Sequence, residues 1–419
     1  MANDPILIVG AGIIGLTLGQ ALKKRNIPFK IYERDPSLAS RSQGWAITLH
    51  WALQYLPALL PPETLSAIED GQVDPEVAKN DTGNFLFLDL STGDVKWRIP
   101  PNKRWRVNRE KLRRALSLGI EEHVEWGVRV EDVHVTNKLG AEGEGEARLI
   151  YSRRSPDTTA PGELCGTEQS PPGKLIIGTE GARSTIRQFL CPTTYKNTRL
   201  PVRFTGVITS FTAEEIAPLR AMDPLLFQGC HPETGVYLWF SMLDTPTEDE
   251  ISSGSGRYKV QLGISWHVKS PNDEVPSSNA DRLANMKRRA EEFVPFLYDT
   301  IQRIPEGTEV VEVTLADWGC PVWDNREGRV TLAGDAAHAM TMYRGEACNH
   351  GILDAVHLVE AIEKVYAGKN SKDAIDEYEA EMRERAQAAV LLSRQACLDA
   401  HDWESLNENS AILKRRALK

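Results

Sequence analysis

Residues 6–35 read ILIVGAGIIGLTLGQALKKRNIPFKIYERD: a short apolar strand, a glycine turn, a helix with an apolar stripe, and a second strand that ends in acids. Strand, helix and strand in that order imply a parallel sheet. In the turn Gly10-Ala11-Gly12-Ile13-Ile14-Gly15, Gly10 permits the tight bend, Gly12 lets backbone approach a pyrophosphate, and Gly15 lets helix and strand pack closely. A pyrophosphate there meets the positive end of the helix dipole and its free N–H groups. Glu33, closing the second strand, can accept hydrogen bonds from both ribose hydroxyls and repels a 2′-phosphate. Gly10, Gly12, Ile14, Gly15 and Glu33 are therefore candidate contacts for a dinucleotide with an unphosphorylated adenosine ribose, as in FAD or NAD.

The whole chain has 419 residues, too many for one ordinary core, so two domains are expected. A formal charge of −10 argues against a nucleic-acid partner, and the C-terminal LKRRALK reads as a short solvated tail. The six cysteines are scattered, never form C-x-x-C, and read as free thiols of a reducing compartment. The apolar N-terminal run follows MAND without a basic region and is cut by glycines, Thr17 and Gln20. It reads as neither signal peptide nor membrane span, and a cytosolic protein is expected.

Residues 45–125 mix helical and loop patterns, with NREKLRRALSLGI the clear helix, and HVEWGVRVEDVHVT then alternates as strand. From Asn137 to Gly173 the chain is rich in Gly, Pro, Ser and Thr, the pattern of a hairpin extended by a surface insertion. KLIIGTEG returns to a buried strand. Period-two segments VRFTGVITSF, GVYLWFSML and YKVQLGISWHV between Val202 and Val268 mark a second, antiparallel module. GRVTLAGDAAH reads as a last strand of the first domain, which is then discontinuous, and 351–400 is helical by periodicity.

The fingerprint, VNREKLRRAL at 107–116, IIGTEGARSTIR at 176–187 and GRVTLAGDAAHAM at 328–340 together resemble the class A flavoprotein monooxygenases, the para-hydroxybenzoate hydroxylase-like family. The likeness spans nearly the whole chain and is greatest to fungal members that act on secondary metabolites. It implies an α/β fold: a discontinuous Rossmann-like FAD-binding domain, an antiparallel β-sheet substrate domain and C-terminal helices. The expected boundaries are 1–190 and 305–365 for the FAD-binding parts, 195–300 for the substrate domain and 366–419 for the helical end. By the same resemblance Asp335 bonds a ribityl hydroxyl of FAD and Gly334 gives close approach. The helix after Gly345, with Cys348 as a small residue near its start, aims N–H groups at the flavin's pyrimidine edge. Arg109 reaches the phosphate–ribose region, and Arg41, Gly44 and Ala46 belong to the mobile-flavin loop.

Three positions depart from the family pattern. Met342 stands where proline is expected, Ala347 replaces the last glycine of the segment after G-D, and Glu180 replaces the aspartate of the D-G motif beside Arg183. KWRIP at 96–100 partly echoes a halogenase signature, with Lys96 in place of its first tryptophan and far too early in the chain, and reads as coincidence.

His338, Cys348, His350 and His357 crowd one stretch but lack metal-ligand spacing, and no base stands beside Cys348 to make it a nucleophile. In the second module Tyr237, Trp239 and Ser241 share one strand face, and Val236, Leu238, Phe240 and Met242 the other. One face roofs the cofactor and binds substrate, and the alternation leaves both as candidates. Tyr237, Trp239 and Met342 are the substrate candidates; no acid–base residue stands out.

The reading is an FAD monooxygenase that takes electrons from NADPH or NADH and transfers one atom of O2 to an electron-rich aromatic or indole-type small molecule by hydroxylation or epoxidation. A halogenase or reductase on the same scaffold, and an FAD-binding protein without turnover, are the alternatives.

Overall fold

Strand Ile6–Val9, buried at all four positions, lies at the centre of a five-stranded parallel sheet. The order is Val330–Leu332, Leu175–Gly178, Ile6–Val9, Phe29–Glu33 and Val124–Trp126. The computed structural model describes residues 4–40, 44–136, 146–154 and 164–417. Continuous apolar runs such as ILIV and LIIG suit strands covered on both faces. Helix Ile13–Lys24 packs between Arg109–Ser117 and Ala347–Tyr366. Val330–Leu332 pairs with Leu175–Gly178 after an intervening module, so the Rossmann-like domain is discontinuous.

A three-stranded antiparallel sheet of Val128–Val135, Ala147–Arg154 and Leu164–Gln169 follows the first. Residues 137–145 and 155–163 of the expected insertion lie outside the described residues.

The second module is a seven-stranded sheet. Its order is Val310–Val313, Val202–Phe211, Tyr258–His267, Tyr237–Asp244, Leu226–Cys230, Phe85–Asp89 and Val95–Ile99. The three period-two segments form its centre. The stretch 45–125, expected as helix and loop, also supplies strands: Phe85–Asp89 pairs in parallel with Leu226–Cys230, and Ala46–Leu49 pairs with Trp105–Asn108. These strands have only four or five residues, and their partners lie far along the chain, so local periodicity carries little of the signal.

One face of the sheet buries Leu238, Phe240, Met242, Val260, Leu262 and Ile264 against helices Asn279–Arg289 and Pro295–Gln302. Each such side chain contributes roughly 1.5–3 kcal/mol. The opposite face, with Phe204, Tyr237, Trp239 and Gln261, turns toward the Rossmann-like domain.

Helices Ala347–Tyr366 and Ser371–Asp399 pack on each other at the C-terminal end. The segment after them is not the solvated tail its basic composition suggested. Leu413 and Arg416 are each 4% exposed, because the Arg416 guanidinium donates to the carbonyls of Tyr343, Arg344, Ile412 and Lys414 and lies over the Phe85 ring. No helix among the described residues is long and apolar enough to cross a membrane.

Candidate active site

A cavity of about 830 Å³ runs from the glycine turn, past the start of helix Ala347–Tyr366, to the aromatic face of the large sheet. At the first end Gly10 has φ +104°, and a Cβ there would lie 2.9 Å from Glu180 Cα. A Cβ on Gly15 would lie 1.9 Å from the Gly10 carbonyl oxygen, so this glycine sits behind the wall and lets the helix close on the strand. Gly12, by contrast, faces open space: its Cβ would meet nothing nearer than 3.9 Å. It is the N-cap of Ile13–Lys24 and provides no side-chain cap, so the first N–H groups of the helix are left for a ligand. Glu33 lines the cavity and accepts from Ala11 N–H at 2.7 Å and Asp35 N–H at 2.9 Å, one to each oxygen. Each oxygen keeps a second acceptor position.

Asp335 opens the short helix after Gly334 and faces the cavity. Surrounding protein raises its carboxyl pKa, against the pull of His338, Arg187 and Arg109. Gly334 has φ +63° and lies behind the wall, where a Cβ would press on Ile14 at 3.0 Å. Ile14, Ala46, Arg109, Gly345 and Cys348 line the cavity; Gly44 does not, packing instead against Arg109 Cβ. Arg41 lies outside the described residues.

Gly345 takes the left-handed conformation, φ +64°, and turns the chain into helix Ala347–Tyr366. That helix has no side-chain N-cap bond either, and Ala347 and Cys348 present its first turn to the cavity. Asn349 ties this turn to strand Ala46–Leu49, donating to Thr48 O at 3.0 Å and accepting from His50 N–H at 2.9 Å.

The histidines of the same stretch do other work. His338 Nε2 lies 2.6 Å from Asp354 Oδ2, which also accepts from Gly334 N–H at 2.8 Å. Arg385 donates to Asp354 Oδ1 at 2.8 Å and contacts His350 Nδ1. Burial pushes the Asp354 carboxyl up, but His338 and Arg385 outweigh it and hold it well below the usual range. The network props the Gly334 turn from behind. Burial keeps the Cys348 thiol protonated, pushed up to about 12, which makes it a poor nucleophile. Among the described residues no three His, Cys, Asp or Glu side chains converge as a metal site.

Comparison with known proteins agrees with this geometry. Residues 158–393 match a family model described as FAD binding domain, and residues 8–64 one described as NAD(P)-binding Rossmann-like domain. The chain is 44% identical to the FAD-dependent monooxygenase dbaB of Emericella nidulans, covering 84% of this chain and 85% of that protein. It is 40% identical to a "Probable FAD-dependent monooxygenase" of Arthroderma benhamiae, covering 98% and 95%. The chain belongs to the FAD-dependent monooxygenases. Among solved structures it superposes on 2,6-dihydroxypyridine-3-hydroxylase from Arthrobacter nicotinovorans with TM-score 0.71 and 16% identity, covering 100% of this chain and 98% of that one.

The monooxygenase fold brings both uncapped helix starts, Glu33, Arg109 and Asp335 to one cavity, a donor and acceptor set that fits a flavin dinucleotide. Of the two strand faces, the one with Tyr237 and Trp239 lines this cavity; Met342, also in its wall, is 39% exposed. Glu180 also lines it. Its longer arm reaches the start of helix Thr185–Leu190, where Oε1 accepts from Ile186 N–H at 2.9 Å, and burial raises its pKa. Arg183 lines the cavity and is exposed. Lys96 of KWRIP lies over the Trp97 and Trp403 rings, away from the cavity.

Several wall residues escaped the sequence. Arg113, fully helical in pattern, donates to Ala11 O at 2.9 Å behind the glycine turn. Arg104, Arg106, Arg344 and Arg416 line the sheet end, all buried, with Arg104 paired to Asp81 and Arg344 to Glu346. His50 is neutral there, its pKa pushed down to about 3 by burial. Only the charge of these side chains is visible in sequence; their burial depends on strands paired across the two domains.

Proposed function

We propose that the protein hydroxylates or epoxidises an electron-rich aromatic or indole-type secondary metabolite, using NADPH or NADH and O2, from the cytosol. The observation that carries this is the single cavity joining the glycine turn to the aromatic sheet face, with no second nucleotide fingerprint in the chain. Bound there, FAD supplies electron storage and activation of oxygen. Gly10, Gly12, Ile14 and Glu33 would hold its adenosine and pyrophosphate, with Gly15 closing the helix behind them. Arg109 and Asp335 would hold the linking phosphate and ribityl chain, with Gly334, Gly44 and Ala46 shaping the wall. The N–H groups at Ala347 and Cys348, beyond Gly345, place positive potential in the middle of the cavity, where negative charge is stabilised as electrons enter. Tyr237 and Trp239 lay a planar substrate against the sheet, and Phe85, Phe204 and Trp45 keep water away. Met342 meets the substrate or its entrance.

The test is direct. Purified protein should be yellow, should oxidise NAD(P)H faster with a bound aromatic substrate, and should yield a product heavier by one oxygen atom. A colourless protein that cannot be reconstituted with FAD, or NAD(P)H oxidation without any oxygenated product across a phenol and indole panel, overturns the reading.

A further inference from the structure

We propose that the guanidinium of Arg106 anchors an anionic oxygen of the substrate, a carboxylate or an ionised phenol, at the sheet end of the cavity. This rests on the monooxygenase reading above. Arg106 is 4% exposed, lines the cavity, and makes only neutral hydrogen bonds: to Thr48 Oγ1 at 2.7 Å and Ser241 Oγ at 2.6 Å. Among the described residues its Nε has no hydrogen-bond partner and no carboxylate pairs with it. A guanidinium has five N–H groups, so donors remain for a ligand.

The surroundings make the missing counter-charge stand out. Four carboxylates line the cavity: Glu33, Glu180, Asp335 and Glu346. The first three belong to the glycine-turn and ribityl end, and Glu346 is taken by Arg344 at 2.6 Å. Arg104 uses Asp81, and Arg416 binds only backbone carbonyls. Arg106 and Arg416 are thus two buried cations without an ion-paired acid among the described residues, in a wall that also carries Trp239, Tyr237 and Phe204. Burying a charge is unfavourable unless something compensates it, and a planar anion in this slot would. Burial and the neighbouring Arg104 lower the Arg106 pKa to about 9, which leaves it charged at neutral pH. Its partners place it on the substrate side: Ser241 belongs to the strand that carries Tyr237 and Trp239, and the guanidinium lies 5.6 Å from the Trp239 ring centroid. Gln261, opposite Ser241 in the ladder, also lines the cavity, and its Oε1 has no partner. It can accept from a neutral hydroxyl beside the anionic oxygen, so an ortho-hydroxy acid or a phenol paired with a second hydroxyl matches both groups.

The FAD-loaded enzyme is titrated with 2,4-dihydroxybenzoate, with its methyl ester, and with pentafluorophenol across its ionisation range, which lies below neutral pH, following the flavin absorbance change. The acid should bind the wild type at least about tenfold more tightly than the ester. Arg106→Met should weaken the acid roughly 10- to 100-fold, as expected for one charge-assisted pair, and leave the ester within about twofold. Preference for ionised pentafluorophenol over the neutral form, lost in Arg106→Met, would make the phenolate the source of the anion. If Arg106→Met does not retain flavin, Arg106→Lys decides: losing the planar fork should weaken the acid alone, and unchanged acid affinity overturns the proposal. Equal binding of acid and ester, a preference that survives Arg106→Met, or no binding of any probe at millimolar concentration also overturns it. A yellow enzyme that oxidises NAD(P)H but shows no anion preference refutes Arg106 alone; an enzyme without flavin or NAD(P)H oxidation refutes the monooxygenase reading first.

Discussion

The two ends of the cavity are built on opposite principles. At the glycine-turn end the acids that shape the backbone are partnered: both Glu33 oxygens bind backbone N–H groups, and Asp354 binds the Gly334 N–H, His338 and Arg385, although Tyr32 Oη and Glu180 Oε2 there have no hydrogen-bond partner among the described residues. At the sheet end Arg106 and Arg416 are buried with neutral partners only, and Gln261 Oε1 has none. The first end is a finished mould whose shape is independent of what the enzyme oxidises. The second leaves buried charge without a counter-charge among the described residues.

The sharpest attack on the mould is Gly15→Ala. Its Cβ would sit 1.9 Å from a backbone oxygen that cannot rotate away, so helix and strand must separate. A loss of about 3 kcal/mol or more is expected, together with the bound flavin, read from visible absorbance and the melting temperature. Full flavin content in this variant would mean that the close helix–strand contact is not what shapes the site. Asp354→Asn comes next. It removes the buried carboxylate that His338, Arg385 and the Gly334 N–H share, while Arg385 keeps Glu381 at 2.8 Å, and weakening these charge-assisted bonds costs about 1–3 kcal/mol. Denaturant unfolding should show that loss even though the side chain does not line the cavity.

This contrast also governs how much the sequence disclosed. The mould is local: Gly10, Gly12, Gly15 and Glu33 fall within one strand–helix–strand unit, and Asp335 and Gly345 within eleven residues, so spacing alone brings them to notice. The helical C-terminal region and the three central strands of the sheet were legible for the same reason, being long and strongly periodic. The sheet end is assembled from Arg106, Tyr237, Gln261, Tyr343 and Arg416, drawn from five separate segments. A basic residue in WRVNR or LKRRALK looks like a solvated surface charge until the strands and the tail are in place. His338 and His350 lack metal-ligand spacing in the sequence, and in the structure they belong to a titratable cluster that props a backbone turn.

Proton uptake is a property the two ends share. His50 and His401 near the sheet and His350 in the prop are each pushed down to about 3, burial being the largest cause in every case. In the unfolded chain a histidine titrates near about 6.5. Between these values the unfolded state binds a proton that the folded state refuses, so stability falls as pH drops from about 6.5 toward 3. Each histidine removes about 2 kcal/mol by pH 5. Comparing denaturant midpoints at pH 7 and pH 5, His401→Gln should lose less stability on acidification than the wild type, by about that amount. An unchanged difference would mean that His401 takes up its proton in the folded enzyme.

The smallest expected effect is at Met342, the departure from the family pattern. Thr341 before it is extended, φ −70° and ψ 160°, as the residue preceding a proline must be. Met342 opens a 3-10 turn, a position that suits the fixed proline φ, and no described backbone partner accepts its N–H. The side chain is 39% exposed, so little packing is lost. Met342→Pro should therefore keep the fold, the bound flavin and the stability within about 1 kcal/mol. Because the residue lines the cavity, the change should appear instead in how much NAD(P)H is consumed for each oxygenated product. A shift in that ratio at constant melting temperature would assign Met342 to the sheet end. A large loss of stability with an unchanged ratio would place it with the mould.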